Sequence, residues 1–375
     1  MPIRPATPAV AILASLIALQ ASPAGAQTAE QLIARVGPTI QKRVQEGVYA
    51  GLAIGVIAGD SRASAFYGRR TDGSPAPPDQ DTRFEVGSVS KTFTSLLLAD
   101  LVTLGVVSLD TRLSELLPAG SYSPAVGRID LTSLAVHRSG LPRLIIGAEG
   151  DYLEAIARGT APDVYRFLAS YDPGPTAGTK VYSNAGMEIL GHVLERRSGE
   201  QFTTLLQERI LDPLEMSRTI VFVGDDRSNL AAPHYYDRNG SGRLEPIDRF
   251  FYNRFSAASG GVVSTTRDML RYLEAWLHPG NAPETLRAPI ELASRHYAGD
   301  PVDAKNANAL GWGRNQSSRH PGAIYFDHDG LTIGHTTFVL FSRERDRGVV
   351  LLTNTGIYGQ TFRDFRALGY AILND

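Results

Sequence analysis

At residues 84–94 the sequence reads Phe84-Glu85-Val86-Gly87-Ser88-Val89-Ser90-Lys91-Thr92-Phe93-Thr94. A polar, proline-rich loop over residues 74–81 precedes this stretch, and an apolar run from Leu96 to Val107 follows it. A loop, then a Gly-Ser pair, then an apolar run is the pattern with which buried helices begin. We therefore predict a helix that begins beside Ser88 and belongs to the core of the protein.

Ser88 and Lys91 lie three residues apart, so both side chains project from one face of the first helical turn. Unpaired backbone N–H groups and the helix dipole favour negative charge at this end of a helix. A lysine in a desolvated, positive pocket can take the proton of a serine, because both effects lower the pKa of its amine. The pair therefore indicates a nucleophile and its base. The alternative is a capped helix with a surface lysine, since Ser-x-x-Lys alone is a common pattern.

The composition is that of a globular protein with a sizeable core. The chain has 375 residues, of which 43% are hydrophobic and 20% charged. A net charge of −2 and the lack of a basic run argue against nucleic acid as a partner. Without cysteine the chain has no disulfide and no thiolate chemistry. The eight histidines include no His-Glu-x-x-His pair, so we predict no metal site and no cofactor, only a small-molecule or peptide substrate.

The N-terminus has the pattern of a signal peptide. Arg4 supplies a positive charge, Ala9 to Leu19 is apolar except for one serine, and Ala24-Gly25-Ala26 resembles a cleavage site. We predict cleavage after Ala26, a mature chain that begins at Gln27, and a periplasmic or secreted bacterial enzyme. An uncleaved membrane anchor is the alternative, but the apolar stretch is short for a span and no second one reaches about 18 residues.

Apolar periodicity predicts the secondary structure. A hairpin is expected around Asn239-Gly240. The predicted helices cover residues 29–45, 108–117, 131–137, 161–170, 184–198, 203–211, 266–277 and 360–373, and the predicted strands cover residues 51–58, 63–67, 323–327, 336–341 and 349–353.

Strands near both ends of the chain, with helices between them, predict an α/β (α+β) fold. It would contain one antiparallel sheet built from both termini and flanked by helices, with an all-helical lobe inserted. We expect a single catalytic domain over residues 27–375. Its α/β lobe would comprise about residues 27–85 and 255–375, and its helical lobe about residues 86–254.

A second polar group, Tyr182-Ser183-Asn184, comes just before a predicted helix. Tyr182 can carry a proton if a nearby cation stabilises its phenolate. Asn184 can hold Lys91 through its carbonyl oxygen and a substrate amide through its NH₂ group. The alternative is a tyrosine packed in a loop and an asparagine at the start of a helix.

The third group, His328-Asp329-Gly330-Leu331, ends a β-rich run. On a strand His328 and Gly330 share a face, and a glycine lets the backbone approach a ligand closely. The N–H groups of Leu331 and Ser88 could form an oxyanion hole. A cationic His328 could hold a substrate carboxylate, and that binding would weaken as pH rises through about 6.5. The alternative for His328 is a histidine with a structural role.

Two other sequence patterns concern a calcium site and a different hydrolase fold. Residues 237–242 read Asp-x-Asn-x-Ser-Gly, with Asp248 at the last ligand position of a calcium loop. Pro233 and Pro246 oppose the flanking helices that such a loop requires, and the last ligand is normally glutamate, so calcium is disfavoured. No serine lies in Gly-x-Ser-x-Gly, which disfavours an α/β-hydrolase.

The three groups together resemble, in order and spacing, the class C β-lactamases, the serine DD-carboxypeptidases and D-aminopeptidases, and the β-lactamase-like carboxylesterases. The resemblance covers the chain from about Leu52 to Asn354. It implies a β-lactamase/transpeptidase-like fold, with the site in a cleft between the sheet and a helical lobe. Further matching segments are Phe84-Glu85-Val86-Gly87, His137-Arg138-Ser139-Gly140-Leu141-Pro142, Pro213-Leu214, residues 259–265 and residues 349–354.

The resemblance also implies roles for the residues. Ser88 would be the nucleophile that accepts the acyl group, and Lys91 would lower its pKa. Tyr182 would carry protons, and Asn184 would position Lys91 and the substrate amide. A non-catalytic penicillin-binding module would need one of these residues to be missing, and all are present.

Two residues of the third group bear on the substrate. His328 falls where the class C enzymes have lysine and where several DD-peptidases and aminopeptidases have histidine. Asp329 replaces a hydroxyl residue that helps to hold a substrate carboxylate, and an aspartate would repel it. We therefore expect an exported serine hydrolase for D-amino-acid peptides, with β-lactams as acylating or slow substrates. A carboxylesterase for short acyl esters is the alternative.

Overall fold

The computed structural model describes residues 27–71, 73, 75–145, 160–221, 228–237, 240–247, 255–299 and 308–374. The predicted signal peptide lies outside the described residues, as do Asn239 and Asp248 of the calcium-like pattern. Within the described ranges, every helix is too short or too polar to cross a bilayer.

The predicted strands and helices occur along the chain in the expected order, together with further elements that no sequence pattern indicated. In chain order the strands are β1 (Gly51–Ala58), β2 (Ser61–Gly68), β3 (Arg83–Glu85), β4 (Ile220–Val221), β5 (His234–Tyr236), β6 (Leu244–Pro246), β7 (Val262–Thr265), β8 (Gly313–Gln316), β9 (Ile324–Leu331), β10 (Thr336–Ser342), β11 (Arg347–Thr353) and β12 (Thr355–Gly356). The α-helices are α1 (Ala29–Gln45), α2 (Ser90–Thr103), α3 (Leu113–Leu116), α4 (Pro124–Gly127), α5 (Leu131–Ala135), α6 (Ala161–Ser170), α7 (Asn184–Ser198), α8 (Phe202–Leu206), α9 (Ala257–Gly260), α10 (Thr266–Leu277), α11 (Glu284–Ala293) and α12 (Gly359–Leu373).

The main sheet has six strands in the order β2-β1-β11-β10-β9-β8, and all neighbours are antiparallel. Two strands come from the N-terminal part of the chain and four from the C-terminal part. The predicted antiparallel sheet built from both termini is therefore confirmed. Two three-stranded sheets, β12-β5-β6 and β3-β7-β4, lie outside it, and β5 and β6 form the predicted hairpin.

Both faces of the main sheet are covered, which explains why its central strands are apolar throughout. Successive residues of a strand point to opposite faces. On β1, Ala53 and Ile57 belong to the core that also contains residues of α10, while Ile54 and Val56 belong to the core that contains α1 and α12. Helices on both sides thus remove the central strands β1, β10 and β11 almost entirely from water.

Helix α2 is buried on nearly all sides, as the apolar run after Ser88 predicts. Its residues Ser90 to Leu101 are all buried, and it packs against α7, α9 and α11. A short 3₁₀ turn over Gly87–Val89 leads into it. The buried residues of α2 include polar and charged side chains as well as leucines, so this helix carries the nucleophile stretch into the core.

Several predicted boundaries hold to the residue, among them those of α1, β1, α6, α7 and α10. The predicted helix over residues 108–117 is wrong in extent, because only Leu113–Leu116 is helical. The N–H and hydroxyl of Ser108 bond to the side chains of Thr111 and Asp110, which makes a turn there instead. Sequence patterns also missed α11, which contains Pro289, and β8, whose sequence Gly-Arg-Asn-Gln is polar.

An ion cluster connects α10 to the β10–β11 hairpin. His278 lies between two carboxylates, with Nδ1 2.8 Å from Glu274 Oε1 and Nε2 2.6 Å from Asp346 Oδ1. Arg62 donates to the same glutamate at 2.9 Å. The hydrogen bond to Glu274 and the one to Asp346 raise the pKa of His278 to about 9, against the effect of burial.

We predict that His278 stabilises the fold in a pH-dependent way. Its pKa is higher in the folded than in the unfolded chain, so its contribution is complete below about pH 6.5 and is lost as pH rises through about 9. His278→Ala should therefore lower the Tm more at about pH 6 than at about pH 10. The control is His296→Ala, since His296 contacts the backbone carbonyl of Gly299. Equal losses of Tm at both pH values would contradict the prediction.

Candidate active site

Ser88 lies in the 3₁₀ turn, and Lys91 lies in the first turn of α2. Lys91 Nζ is 3.0 Å from Ser88 Oγ, and the lysine is fully buried. Gly87 makes the turn possible, because its φ of 51° is in the left-handed region that favours glycine. The structure therefore brings the predicted nucleophile and base into hydrogen-bond contact.

The amine of Lys91 is held from the opposite side by α9. Nζ donates to the backbone carbonyl oxygen of Ser259 at 2.6 Å. Burial lowers the pKa of Lys91 to about 7; the Glu188 carboxylate opposes this shift and the Arg143 guanidinium adds to it. Near neutral pH a substantial share of the amine is thus uncharged and able to accept a proton.

Glu188 is a residue that the sequence analysis missed. It is buried in α7, and its Oε1 accepts a hydrogen bond of 2.8 Å from Ser259 Oγ. Burial raises the pKa of Glu188 to about 7, against the effects of the Ser259 hydrogen bond and the Lys91 charge. One signal was available: Glu188 is the single charged residue in the stretch 184–191, four residues after Asn184 and so on the same helix face.

Tyr182 lies between the base and two further side chains. Its ring centroid is 5.0 Å from Lys91 Nζ, 5.4 Å from Arg143 Cζ and 4.5 Å from the His137 ring. Positive charge close to the ring is what the proposed phenolate requires. Burial holds the pKa of His137 well below its usual range, and His137 Nδ1 accepts from the N–H of Ser183 at 3.3 Å. The sequence analysis assigned His137 and Arg143 no role in the site.

Asn184 begins α7 next to the site, and its side chain is buried. The expected hydrogen bond from Lys91 is not among the contacts of the described residues, where the amide oxygen of Asn184 has no partner. Lys91 uses the Ser259 carbonyl instead. Asn184 thus offers an unpaired acceptor in a buried place, where such atoms normally find a partner.

Strand β9 carries the third predicted group, and its pleat separates the members. His328 pairs with Val339, a residue of the core on the α10 side, whereas Asp329 pairs with Phe338, which faces α12. On the α12 face, Arg366 Nη1 lies 3.7 Å from Asp329 and Arg366 Nη2 lies 2.6 Å from Asp327. The carboxylate of Asp329 therefore has a cationic partner on the face opposite to His328.

His328 is not the cation that the sequence analysis considered. Desolvation of its half-buried ring and the charge of Lys91 lower its pKa to about 4. Its Nδ1–H donates to the backbone carbonyl of Asp329 at 2.7 Å. Near pH 6.5 this low pKa favours the neutral imidazole, because the protein replaces the water that would stabilise its charge. This is the opposite of the charge state that the sequence suggested for binding a carboxylate.

Two facing glycines let the nucleophile turn and β9 meet. A Cβ on Gly330 would overlap the carbonyl oxygen of Val86, and a Cβ on Gly87 would lie 2.8 Å from the N atom of Leu331. This close approach places the backbone nitrogens of Ser88 and Leu331 in neighbouring segments, where the Cβ positions of Gly330 and Gly87 lie 3.1 and 2.8 Å from them. An oxyanion hole made of these two donors remains our prediction.

A cavity of about 590 Å³ opens beside Tyr182 and His328. It extends along β8 towards α12, and its far wall includes Asn315, Arg366 and Tyr370. These three side chains all bond to the carboxylate of Asp327, at 3.0, 2.6 and 2.8 Å respectively. Polar groups thus line a space that is large enough for several atoms of a substrate beyond the reacting bond.

Comparison with known proteins gives a consistent result. A family model described as Beta-lactamase matches residues 37–369. A beta-lactamase of Escherichia coli (strain K12) is 26% identical over 344 residues, which cover 84% of this chain and 87% of the relative. The D-alanyl-D-alanine-carboxypeptidase/endopeptidase AmpH of the same strain is 30% identical over 60% of this chain and 57% of its own length. Penicillin-binding protein 4 of Amycolatopsis lactamdurans is 28% identical, covering 77% of this chain and 76% of its own length.

We predict that Gly330→Ala slows the acylation of Ser88 by about 10²–10³-fold, the range for loss of one oxyanion-hole donor. The added methyl group pushes β9 away from Val86 and separates the two N–H donors. The rate of covalent labelling by a fluorescent penicillin measures the effect. Gly280→Ala is the control, because a Cβ there meets no atom within 4 Å. An unchanged rate in Gly330→Ala would show that the close approach is not needed.

Proposed function

This chain belongs to the β-lactamase family and is a serine hydrolase, and we propose that it hydrolyses D-amino-acid peptides through an acyl-enzyme on Ser88. The observation that carries the proposal is the 3.0 Å contact between Ser88 Oγ and a fully buried Lys91. The names of two relatives, a D-alanyl-D-alanine-carboxypeptidase/endopeptidase and a penicillin-binding protein, support this substrate class. Export rests on the pattern before Gln27 alone.

Acylation follows from the geometry of the site. Uncharged Lys91 takes the proton of Ser88 as Oγ attacks the carbonyl carbon of the substrate. The negative charge that develops on the carbonyl oxygen is received by the N–H groups of Ser88 and Leu331. When the C–N bond breaks, Tyr182 gives its proton to the leaving amine and regains it from Lys91. Water then attacks the ester, its proton returns to Ser88 Oγ, and the carboxylic acid product leaves.

A neutral His328 influences which peptides fit. The cation that would pair with a carboxylate next to the scissile bond is missing at this position, since the pKa of His328 is about 4. Strand β8 pairs with β9 only from Ile324 to Asp327. Among the described residues, no strand pairs with the rest of this edge of β9. An extended peptide can add to such an edge through its backbone. We therefore propose a preference for peptide bonds that are followed by an amide over bonds next to a free carboxylate.

The neutral state of His328 also bears on two other substrate classes. β-Lactams of the penicillin type carry a carboxylate, so we propose that they acylate Ser88 or turn over slowly. Short neutral esters need no cation, and this favours a carboxylesterase as the second candidate. Nitrocefin, a D-Ala-D-Ala peptide and p-nitrophenyl butyrate compared in one panel separate the three functions.

We predict that Ser88→Ala abolishes covalent labelling by a fluorescent penicillin or a fluorophosphonate while the protein stays folded. The reason is that the hydroxyl in contact with Lys91 is removed. Intact-mass measurement detects the adduct. Ser95→Ala is the matched control, because Ser95 lies in α2, the helix that follows the Ser88 turn, and its buried Oγ has no partner among the described residues. Labelling that persists in Ser88→Ala would refute the assignment.

We predict that a D-Ala-D-Ala peptide with an amidated C-terminus has a higher kcat/KM than the free acid, by roughly tenfold, the free energy of about one charge-assisted hydrogen bond. The ratio should not change between about pH 5.5 and 8, because His328 is neutral throughout. His328→Lys should raise kcat/KM for the acid and leave the amide nearly unchanged. A preference for the acid, or an amide-to-acid ratio that rises as pH increases through about 6.5, would mean that His328 binds the carboxylate as a cation.

A further inference from the structure

Helix α7 buries one acidic side chain that the mechanism above does not use. Glu188 lies among Met187, Ile189 and Leu190, and the whole stretch 184–191 is buried. A carboxyl group in such a place costs free energy unless it has hydrogen-bond and charge partners. A structural core position of this kind is normally apolar, so the partners of Glu188 indicate its role.

Ser259 connects Glu188 to the base. Its hydroxyl donates to Glu188 Oε1 at 2.8 Å, and its carbonyl oxygen accepts from Lys91 Nζ at 2.6 Å. The hydroxyl also lies 3.1 Å from the carbonyl oxygen of Ser256, which fixes its position in α9. A single residue therefore bonds to the acid with its side chain and to the amine with its backbone.

Glu188 has the largest anionic influence on Lys91. After burial, its carboxylate has the largest effect on the amine, Arg143 acts in the opposite direction, and Asp329 comes after both. The other titratable groups that face this place are the ring of Tyr182 and the imidazoles of His137 and His328, and Lys91 lowers the pKa of both imidazoles. Arg143 favours an uncharged amine, and both imidazoles are neutral near neutral pH, so among the charges that act on Lys91 the carboxylate of Glu188 contributes most to the ammonium form.

We propose that Glu188 is a positioning residue that acts through Lys91: its carboxylate, held by Ser259, stabilises the ammonium that Lys91 becomes when it takes the Ser88 proton. The proposal rests on the proposed role of Lys91 as base. The proton moves from Ser88 Oγ to Lys91 Nζ as the Oγ–C bond forms, and the new positive charge is then connected through Ser259 to a carboxylate. An ammonium without that partner would make proton transfer less favourable.

The proposal has a signature in pH dependence. A negative charge near an amine raises its pKa, so removing the Glu188 charge lowers the pKa of Lys91. The uncharged base then exists at lower pH, and the acidic limb of the acylation rate moves to lower pH. At the same time the rate on the high-pH plateau falls, because the ammonium product is less stable. A merely structural role would lower the plateau without moving the limb.

The test is the second-order rate of Ser88 labelling by a neutral fluorophosphonate between about pH 5 and 9. In Glu188→Gln, which keeps the acceptor for Ser259, we expect the limb to move down by about one pH unit and the plateau to fall by about tenfold. Glu188→Asp retains the charge, so its acidic limb should lie closer to the wild-type position than that of Glu188→Gln. Ser259→Ala keeps the carbonyl that holds Lys91 but removes the bridge, so its limb should move in the same direction as that of Glu188→Gln.

A matched control is Asp268→Asn, which changes another buried carboxylate to its amide. Asp268 lies in α10, away from the site, where it accepts bonds from the backbone N–H of Arg218 and the hydroxyl of Thr219. Its variant should leave the acidic limb in place. If Glu188→Gln does not fold, judged by thermal unfolding, Glu188→Asp and Ser259→Ala decide the matter. If the acidic limb keeps its wild-type position in every variant that folds, the proposed role of Glu188 is overturned. A wild-type rate without such a limb, or a limb that persists in Lys91→Met, would refute Lys91 as base and with it the proposed function.

Discussion

The buried amine of Lys91 requires polar partners from three separate parts of the chain. Ser88 supplies its hydroxyl and α9 supplies the carbonyl of Ser259, while α7 supplies the carboxyl group of Glu188, which bonds to the Ser259 hydroxyl. An amine removed from water loses the hydration that stabilises its charge, and this lowers its pKa into the range where it can act as a base. The same desolvation would disfavour folding if these partners were absent. The arrangement of α2, α7 and α9 therefore serves the site and the stability of the core together.

The second constraint is the contact between the nucleophile turn and β9. Gly87 and Gly330 face each other so closely that a methyl group on either would meet the backbone of the other segment. This contact requires the correct register of β9 against β10, because a shift by one residue would exchange the faces of His328 and Asp329. The apolar strands β10 and β11, buried on both faces, hold that register.

The pleat of β9 also organises the electrostatics of the cleft. Asp327 and Asp329 lie towards α12, where Arg366 pairs with both. His328 lies on the side of Lys91 and is uncharged near neutral pH. Two carboxylates near the site are thus balanced by a cation from the C-terminal helix, and the position next to the base holds a neutral hydrogen-bonding group. This distribution is compatible with the mixed names of the relatives, which include beta-lactamases and a carboxypeptidase/endopeptidase.

Local sequence patterns by themselves determined most of the elements and the identity of the reactive pair. Helical spacing in α1, α7 and α10, and the apolar runs of β1 and β11, are properties of a few neighbouring residues, so their boundaries could be predicted. Ser88 and Lys91 lie within one helical turn, and this contact too follows from local geometry. The strands at both ends of the chain were enough to indicate a shared antiparallel sheet.

Only the tertiary structure decided which distant groups share the low-dielectric site. Ser259 lies 168 residues from Lys91 and 71 from Glu188, and Arg366 lies 39 from Asp327. The protonation of His328 likewise depends on desolvation by elements that no local pattern relates to it. Burial and charge pairing are sums over all atoms close in space, whereas a sequence pattern records atoms that are close along the chain. For this reason Ser88 could be recognised from its neighbours, whereas the connection of Glu188 to Lys91 through Ser259 became visible only in the fold.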